Sequence, residues 1–271
     1  MIKIDEPKPG DLIVVWFSCG AASAVAAKKT IERYGSFCQV RVVNHPVKEE
    51  HPDNLRFLKD VEGWLGVPIE ASVNKKWLNS SAEEVWLKEK FMSSPHGASC
   101  TRALKRRAGD QWEEENKPDW CVLGFTCDEK ARFDRFKLME RSNALPILID
   151  EGLRKQDCYN LLISEGIMPP AIYQLGYPNA NCIGCIKAAS PSYWNLVRKT
   201  HPEVFARRAK ISRQLGVRLV KLKGKRIFLD ELPPSFKSRP IKTMNIECGI
   251  FCDMNETIES MIKRGEKLRK K

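Results

Sequence analysis

The run DLIVVWF at residues 11–17, followed at once by the turn SCGAAS at 18–23 and the stretch AVAAKKTIERY at 24–34, limits the fold more than any other part of the chain. Consecutive apolar, β-branched residues bounded by a turn read as a strand buried on both faces, and Ala, Lys and Glu are strong helix formers. A strand buried on both faces needs helices above and below it. The unit therefore predicts the opening of a parallel sheet with helices on both faces, an α/β fold of Rossmann-like kind.

The alternation continues. QVRVVN at 39–44 reads as a second strand, and Asp53 is expected to cap a helix with Leu55, Leu58, Val61 or Glu62, and Leu65 on one face. Ser80 and Glu83 have capping-box spacing and predict a third helix to about Met92, while WCVLGF at 120–125 and PILID at 146–150 read as later strands. In such a sheet ligands sit beyond the carboxyl ends of the strands, here on the loops after Phe17, Val43 and Gly124. After about residue 157 come Pro169-Pro170, a Cys-x-x-Cys pair, a basic helix and a hairpin in VRLVKLKGKRIFLDEL turning near Gly224. The expected division is an α/β core over 1–157 and a smaller C-terminal subdomain over 158–271.

No stretch approaches the roughly 18 apolar residues of a membrane span, and MIKIDEPKPG lacks the apolar core of a secretion signal. The expectation is a cytoplasmic protein with no membrane partner, in which the ten cysteines act as packing groups, metal ligands or reactive thiols. Lys and Arg number 46 against 34 Asp and Glu, and the net charge of +12 favours polyanionic partners: nucleotides, nucleic acid or phosphorylated small molecules.

Ser18, Gly20 and Ser23 sit in a turn whose small residues let backbone N–H groups and a helix N-terminus approach an anion. The same residues also suit a plain packing turn. No Gly-Lys-Ser/Thr ends it, and it lacks Gly-x-Gly-x-x-Gly, so it is neither a Walker A loop nor a dinucleotide turn. SCGAAS resembles the PP-loop, S-G-G-x-D-S, of the adenine nucleotide alpha hydrolase superfamily, and in particular its phosphoadenosine phosphosulfate (PAPS) reductase-like family. Cys19 replaces a glycine and Ala22 the acid, which ATP-cleaving members usually keep. NHPVKEEHPDNLRFLKDVEGWLGVPI at 44–69, SCTRALKRR at 99–107 and LGFTCDEKARFDR at 123–135 are similar to that family's later motifs, in the same order over roughly the first 190 residues.

The resemblance implies that Ser18, Gly20 and Ser23 hold the phosphate of ATP or PAPS, with or without Mg2+, and that Arg102, Lys105, Glu129 and Arg132 line the same cleft. Several cations suit a phosphosulfate or pyrophosphate, and Arg offers a rigid fork for oxyanions. Read without the family, Lys105, Arg106 and Arg107 are a solvated helix face. His45, just after the second strand, stands where an adenine base would lie, or is a loop histidine; the four histidines make no metal-ligand spacing.

Cys182 and Cys185 form C-x-x-C, and Cys248 and Cys252 form C-x-x-x-C. Either spacing lets two sulfurs face one metal, and the two pairs together could make a zinc site. The resemblance adds Cys100 from the C-T-R motif, which in iron-sulfur members joins a later C-x-x-C around a [4Fe-4S] cluster, with Cys248 or Cys252 as the fourth ligand. Glu247-Cys248-Gly249 partly matches the reductase element E-C-G-x-H, making Cys248 also a candidate nucleophile, although Ile250 and Phe251 follow. Cys38, Cys121 and Cys158 read as packing residues, and Cys19 and Cys127 stand near the expected cleft.

Three functions follow. The first is a PAPS reductase-like oxidoreductase or sulfur transferase acting at the α-phosphate or sulfonyl group of an adenine nucleotide, with a thiol reductant protein as a candidate partner. The second is ATP-dependent sulfur insertion into tRNA or DNA, and the third a non-catalytic, zinc-stapled module binding nucleic acid or protein.

Overall fold

The computed structural model describes residues 6–94, 97–236 and 241. Strand and helix alternate through β1 (Leu12–Phe17), α1 (Ala21–Tyr34), β2 (Gln39–Asn44), α2 (Asn54–Leu65) and β3 (Ile69–Ala71). Next come α3 (Ala82–Glu89) and a short ribbon of β4 (Ser93–Ser94) and β5 (Gly97–Ala98). A long helical run follows as α4 (Ser99–Thr101), a π turn at Arg102–Arg106 and α5 (Arg107–Asn116). β6 (Trp120–Val122), α6 (Lys130–Met139), β7 (Ala144–Leu145), α7 (Ile147–Asp150) and α8 (Lys155–Ser164) complete the sheet and its cover. α9 (Pro191–Thr200), α10 (Pro202–Gln214), β8 (Val220–Leu222), β9 (Lys225–Ile227) and a 3-10 turn at Leu229–Glu231 follow.

The five-stranded sheet has the order β3-β2-β1-β6-β7, and its pairs are parallel. The chain winds outward from β1 through β2 to β3, then returns to lay β6 on the other side of β1. That reversal opens a crevice between the carboxyl ends of β1 and β6. Side chains alternate across β1 as the strand period requires. Ile13, Val15 and Phe17 pack with α1, α2 and α8, whereas Val14 and Trp16 pack with Trp112 of α5 and Phe133 and Phe136 of α6. Both faces are thus buried, which is why the strand is apolar at every position.

A further hydrophobic cluster joins α3, Ala103 and Leu104 to α9, α10 and β8. Cys158 and Leu162 of α8, past the expected division at 157, pack instead with α1. The hairpin turns at Lys223 and Gly224, as expected.

Several sequence-level expectations are corrected. PILID forms α7 rather than a strand; β7 is the preceding pair Ala144–Leu145, and a short apolar run carries no period to separate the two forms. β6 stops at Val122, because Phe125 N–H bonds back to the Leu123 carbonyl at 2.8 Å and turns the chain out of the sheet. Leu55 is 69% exposed; the buried positions of α2 are Asn54, Phe57, Val61 and Leu65. Asp53 makes no cap bond, since its carboxylate is taken by Arg56 at 2.6 and 2.7 Å and by Ala171 N–H at 2.7 Å.

The cap of α3 is Ser81, not Ser80, and the helix ends at Glu89. Its first turn is satisfied from a distance. The Glu49 carboxylate accepts from Ser81 Oγ at 2.7 Å, Ala82 N–H at 2.8 Å and Glu83 N–H at 3.2 Å. Glu83 is thereby released from the capping box and pairs with the buried Arg208.

Candidate functional site

The turn after β1 closes on the Ser23 hydroxyl. Ser23 Oγ accepts from Ser18 N–H at 3.1 Å and Gly20 N–H at 3.3 Å and donates to the Gly20 carbonyl at 2.9 Å. Two amides and two hydroxyls therefore converge at the N-terminus of α1, a helix of 14 residues. Cys19 takes φ +53°, a left-handed conformation natural to glycine and strained for other residues. Its thiol is buried and faces Asn44 Nδ2 at 3.6 Å. Burial, and then the nearby Glu50 carboxylate, push that thiol far above the ordinary range, so Cys19 is a protonated packing group rather than a nucleophile.

The loop after β6 meets this turn at Gly124. A Cβ there would lie 2.8 Å from Ser23 N and 2.9 Å from Ala22 C, both backbone atoms. Only glycine allows the two loops to come so close. Just beyond, Glu129 accepts from Thr126 N–H at 3.1 Å and pairs with Arg132 at 2.7 Å, while the Arg132 guanidinium lies 5.0 Å from the Phe125 ring centre. Glu129 and Arg132 are consequently held as a positioned pair in the cleft wall.

The cleft between these loops has a volume of about 440 Å³, and Ser18, Gly20, Ser23, His45, Lys105 and Arg132 are among its lining residues. Lys105 pairs with Glu50 at 3.3 Å, and both side chains are under a tenth exposed. The solvated-helix reading thus fails for Lys105, although Arg107 remains exposed. The π turn explains the difference between Lys105 and Arg102. Arg107 N–H bonds to the Arg102 carbonyl, five residues back, and this wider turn sends Arg102 outward to Glu89 at 2.8 Å. Arg102 does not line the cleft, contrary to the sequence expectation.

His45 is buried and stacks on Trp16, with ring centres 4.8 Å apart. Its Nδ1 lies 3.1 Å from the Ser72 carbonyl, which can only accept, so Nδ1 carries the proton. Nε2 is left as a buried acceptor without a partner among the described residues. Burial lowers the imidazole pKa to about 4, keeping the ring neutral and that lone pair free at neutral pH.

The opposite wall went unrecognised in the sequence. Tyr173 is buried there, and burial raises its phenol to about 12; its oxygen accepts from Ala21 N–H at 3.4 Å. The signal available was Pro169-Pro170, whose turn Arg56 and Asp53 hold through bonds to the carbonyls of Met168 and Pro169 and to Ala171 N–H. Lys155 of α8 reaches the Pro178 carbonyl at 2.6 Å and the Asn179 side chain, fixing residues 178–181 along the cleft rim.

That rim runs straight into the Cys-x-x-Cys loop. Tyr193 Oη accepts from Cys185 N–H at 2.8 Å and donates to the Cys182 carbonyl at 3.4 Å. Ile183 N–H bonds to the Glu49 carbonyl at 2.9 Å, and the fully buried Arg208 donates to the Gly184 carbonyl at 3.1 Å. Gly184 has φ +68°, and a Cβ would lie 3.1 Å from Val204. Cys185 belongs to the C-terminal apolar cluster, and Cys100 and Cys182 pack against it. Three soft donors on a braced loop and a neighbouring helix suit thiolate coordination. No group of three or more His, Cys, Asp or Glu side chains among the described residues is arranged as a metal site. Cys248 and Cys252 lie outside the described residues. Cys38, Cys121 and Cys158 are buried, as packing residues should be.

No family model matches this chain, and no curated protein does. Among solved structures, the fold is similar to that of the U34-tRNA thiolase NcsA from Methanococcus maripaludis with its [4Fe-4S] cluster, at 13% identity and a TM-score of 0.45, over 90% of this chain and 84% of that one. No helix among the described residues is long and apolar enough to cross a membrane.

Proposed function

We propose that this chain is a sulfur-transfer enzyme of PP-loop type, binding an adenine nucleotide between the ends of β1 and β6 and acting at its α-phosphate or sulfonyl group. The observation that supports this most is continuity: the cleft rim at residues 178–181 leads directly into the braced loop of Cys182 and Cys185. Nucleotide and thiols would then share one wall.

Each residue has a task that follows from its setting. The amides of Ser18 and Gly20 and the hydroxyls of Ser18 and Ser23, which bond to one another within the turn, would exchange those bonds for phosphate oxygens at the positive end of α1. Lys105 supplies an ammonium that Glu50 holds in place, and Arg132, oriented by Glu129, supplies a planar fork for a second oxyanion. His45, neutral and stacked on Trp16, stands in the cleft wall where an adenine base would lie. Cys100, Cys182 and Cys185, with Cys248 or Cys252, would hold a [4Fe-4S] cluster, which when bound supplies electrons or carries sulfur. Cys248 remains the candidate nucleophile. A zinc ion in the same thiolates would make them structural instead. Ala22 stands where ATP-cleaving PP-loops keep an acid, which favours a phosphosulfate over ATP-driven insertion of sulfur into tRNA or DNA.

Calorimetry with ATP, PAPS and phosphoadenosine at low salt tests the nucleotide, and iron, sulfide and zinc analysis after anaerobic purification tests the thiols. Ser23→Ala should weaken nucleotide binding about tenfold, one to two charge-assisted hydrogen bonds, without changing the circular dichroism spectrum. Absence of affinity for all three nucleotides would sink the reading.

A further inference from the structure

Residues 204–229 carry nine Lys and Arg and no acid. Arg207 and Arg208 pair with Glu83, and Arg213 with Asp230 and Glu231. The other six, Lys210, Arg218, Lys221, Lys223, Lys225 and Arg226, have no acidic partner among the described residues. Four of them lie on one two-stranded ribbon, β8 and β9, which is separate from the main sheet.

The ribbon has two unlike faces. Val220 and Ile227 stand opposite each other and pack on the C-terminal apolar cluster. Lys221 and Arg226, also opposite each other, fall on the other face by the strand period, and both are exposed. Like charges directly across a ladder repel, and neither is offset by a carboxylate among the described residues. Lys225 and, at the turn, Lys223 extend the charge to the tip, where Lys223 and Gly224 take φ +45° and +83°. Such a turn matches the twist of the strands and presents the tip rigidly. The base is fixed as well, since Lys221 N–H bonds to the Ala189 carbonyl at 2.8 Å and Arg226 Nη1 to the Leu219 carbonyl at 2.9 Å.

We propose that the β8–β9 ribbon is a docking surface for double-stranded DNA, with Lys221, Lys223 and Lys225 contacting backbone phosphates. A row of unpaired lysines complements a polyphosphate and releases its counterions. A two-stranded ribbon fits the wide major groove of B-form DNA, whereas the major groove of A-form RNA is too narrow to admit it. This inference goes beyond the nucleotide reading and does not depend on it, because the ribbon and the cleft share no residue.

The test is fluorescence anisotropy of the full chain with a labelled DNA duplex, a matching RNA duplex and a tRNA, across roughly 50 to 200 mM salt. Lys221→Gln/Lys223→Gln/Lys225→Gln is compared with Lys59→Gln/Lys90→Gln/Lys117→Gln, which removes equal charge from exposed positions elsewhere. The ribbon triple should lose at least about tenfold in DNA affinity and flatten the salt slope by about 2 to 3, near 0.9 per phosphate contact, while the other triple stays near the parent. Equal losses in both triples, no loss in the ribbon triple, tighter binding to either RNA, or no DNA binding by the parent chain would each overturn the proposal. Nucleotide calorimetry on the ribbon triple is a separate readout, expected to match the parent whether or not DNA binding is lost.

Discussion

Gly124→Ala is the substitution that most directly probes how the site is built. The added methyl would lie 2.8 Å from Ser23 N, 2.9 Å from Ala22 C and 3.0 Å from Ser23 Cα, about half an ångström or more inside ordinary contact. All three are backbone atoms of the first turn of α1, so no side chain can rotate away. The first turn must instead retreat from the end of β6, at a cost of about 1–3 kcal/mol for overpacking of this kind. Ser23 Oγ would move with its backbone, disturbing its bonds to Ser18 and Gly20, and a nucleotide held there should bind about tenfold more weakly. Urea denaturation measures the first effect and calorimetry the second. Gly63→Ala in α2 is the internal control: a methyl there meets nothing within 4 Å, so the change should stabilise by about 0.5–1 kcal/mol through helix propensity alone. A Gly124→Ala protein as stable as the parent would refute the close-contact argument.

Tyr193→Phe should cost about 1–3 kcal/mol, because it strands the buried Cys185 N–H, and should also lower metal retention on dialysis against a chelator. Glu83→Gln leaves the buried Arg208 short of its carboxylate and should cost about 3 kcal/mol in urea denaturation. Burial alone would raise the Glu83 pKa, but Arg208 and then Arg207 outweigh it and the carboxyl sits lower than usual. The stability this pair contributes is therefore present above the unfolded carboxylate pKa and lost as pH falls through the depressed folded value, a loss Glu83→Gln should not show. His45 behaves differently: its folded pKa of about 4 lies below the unfolded 6.5, so only the unfolded chain gains a proton between these values. Stability should fall by about 3 kcal/mol from pH 6.5 to 4 and level off below, and His45→Gln should flatten that slope.

Local pattern was informative wherever a segment's own residues decide its conformation. The run from β1 through α2 lies almost where periodicity places it, because apolar strands and Ala-rich helices carry their burial in their composition. PILID was ambiguous for the same reason that it is short, and the cap of α3 was misplaced because its donors are satisfied by Glu49, more than thirty residues away. The cleft divides along the same line. Its turn at 18–23 is legible as small residues between a strand and a helix, whereas Tyr173 and Lys155 enter from segments with no motif of their own.

The sequence by itself determined the order of strands and helices from β1 through α2, the small residues of the turn at 18–23 and the spacing of Cys182 and Cys185. Only the tertiary structure decided which side chains meet. It brought Gly124 against Ser23, buried His45 on Trp16 with one nitrogen unanswered, and turned Lys105 into the cleft while sending Arg102 to Glu89. Those outcomes depend on the return of β6 to the side of β1 and on one widened turn in a helix. Both are set by packing between segments far apart in the chain, which no local window of residues contains.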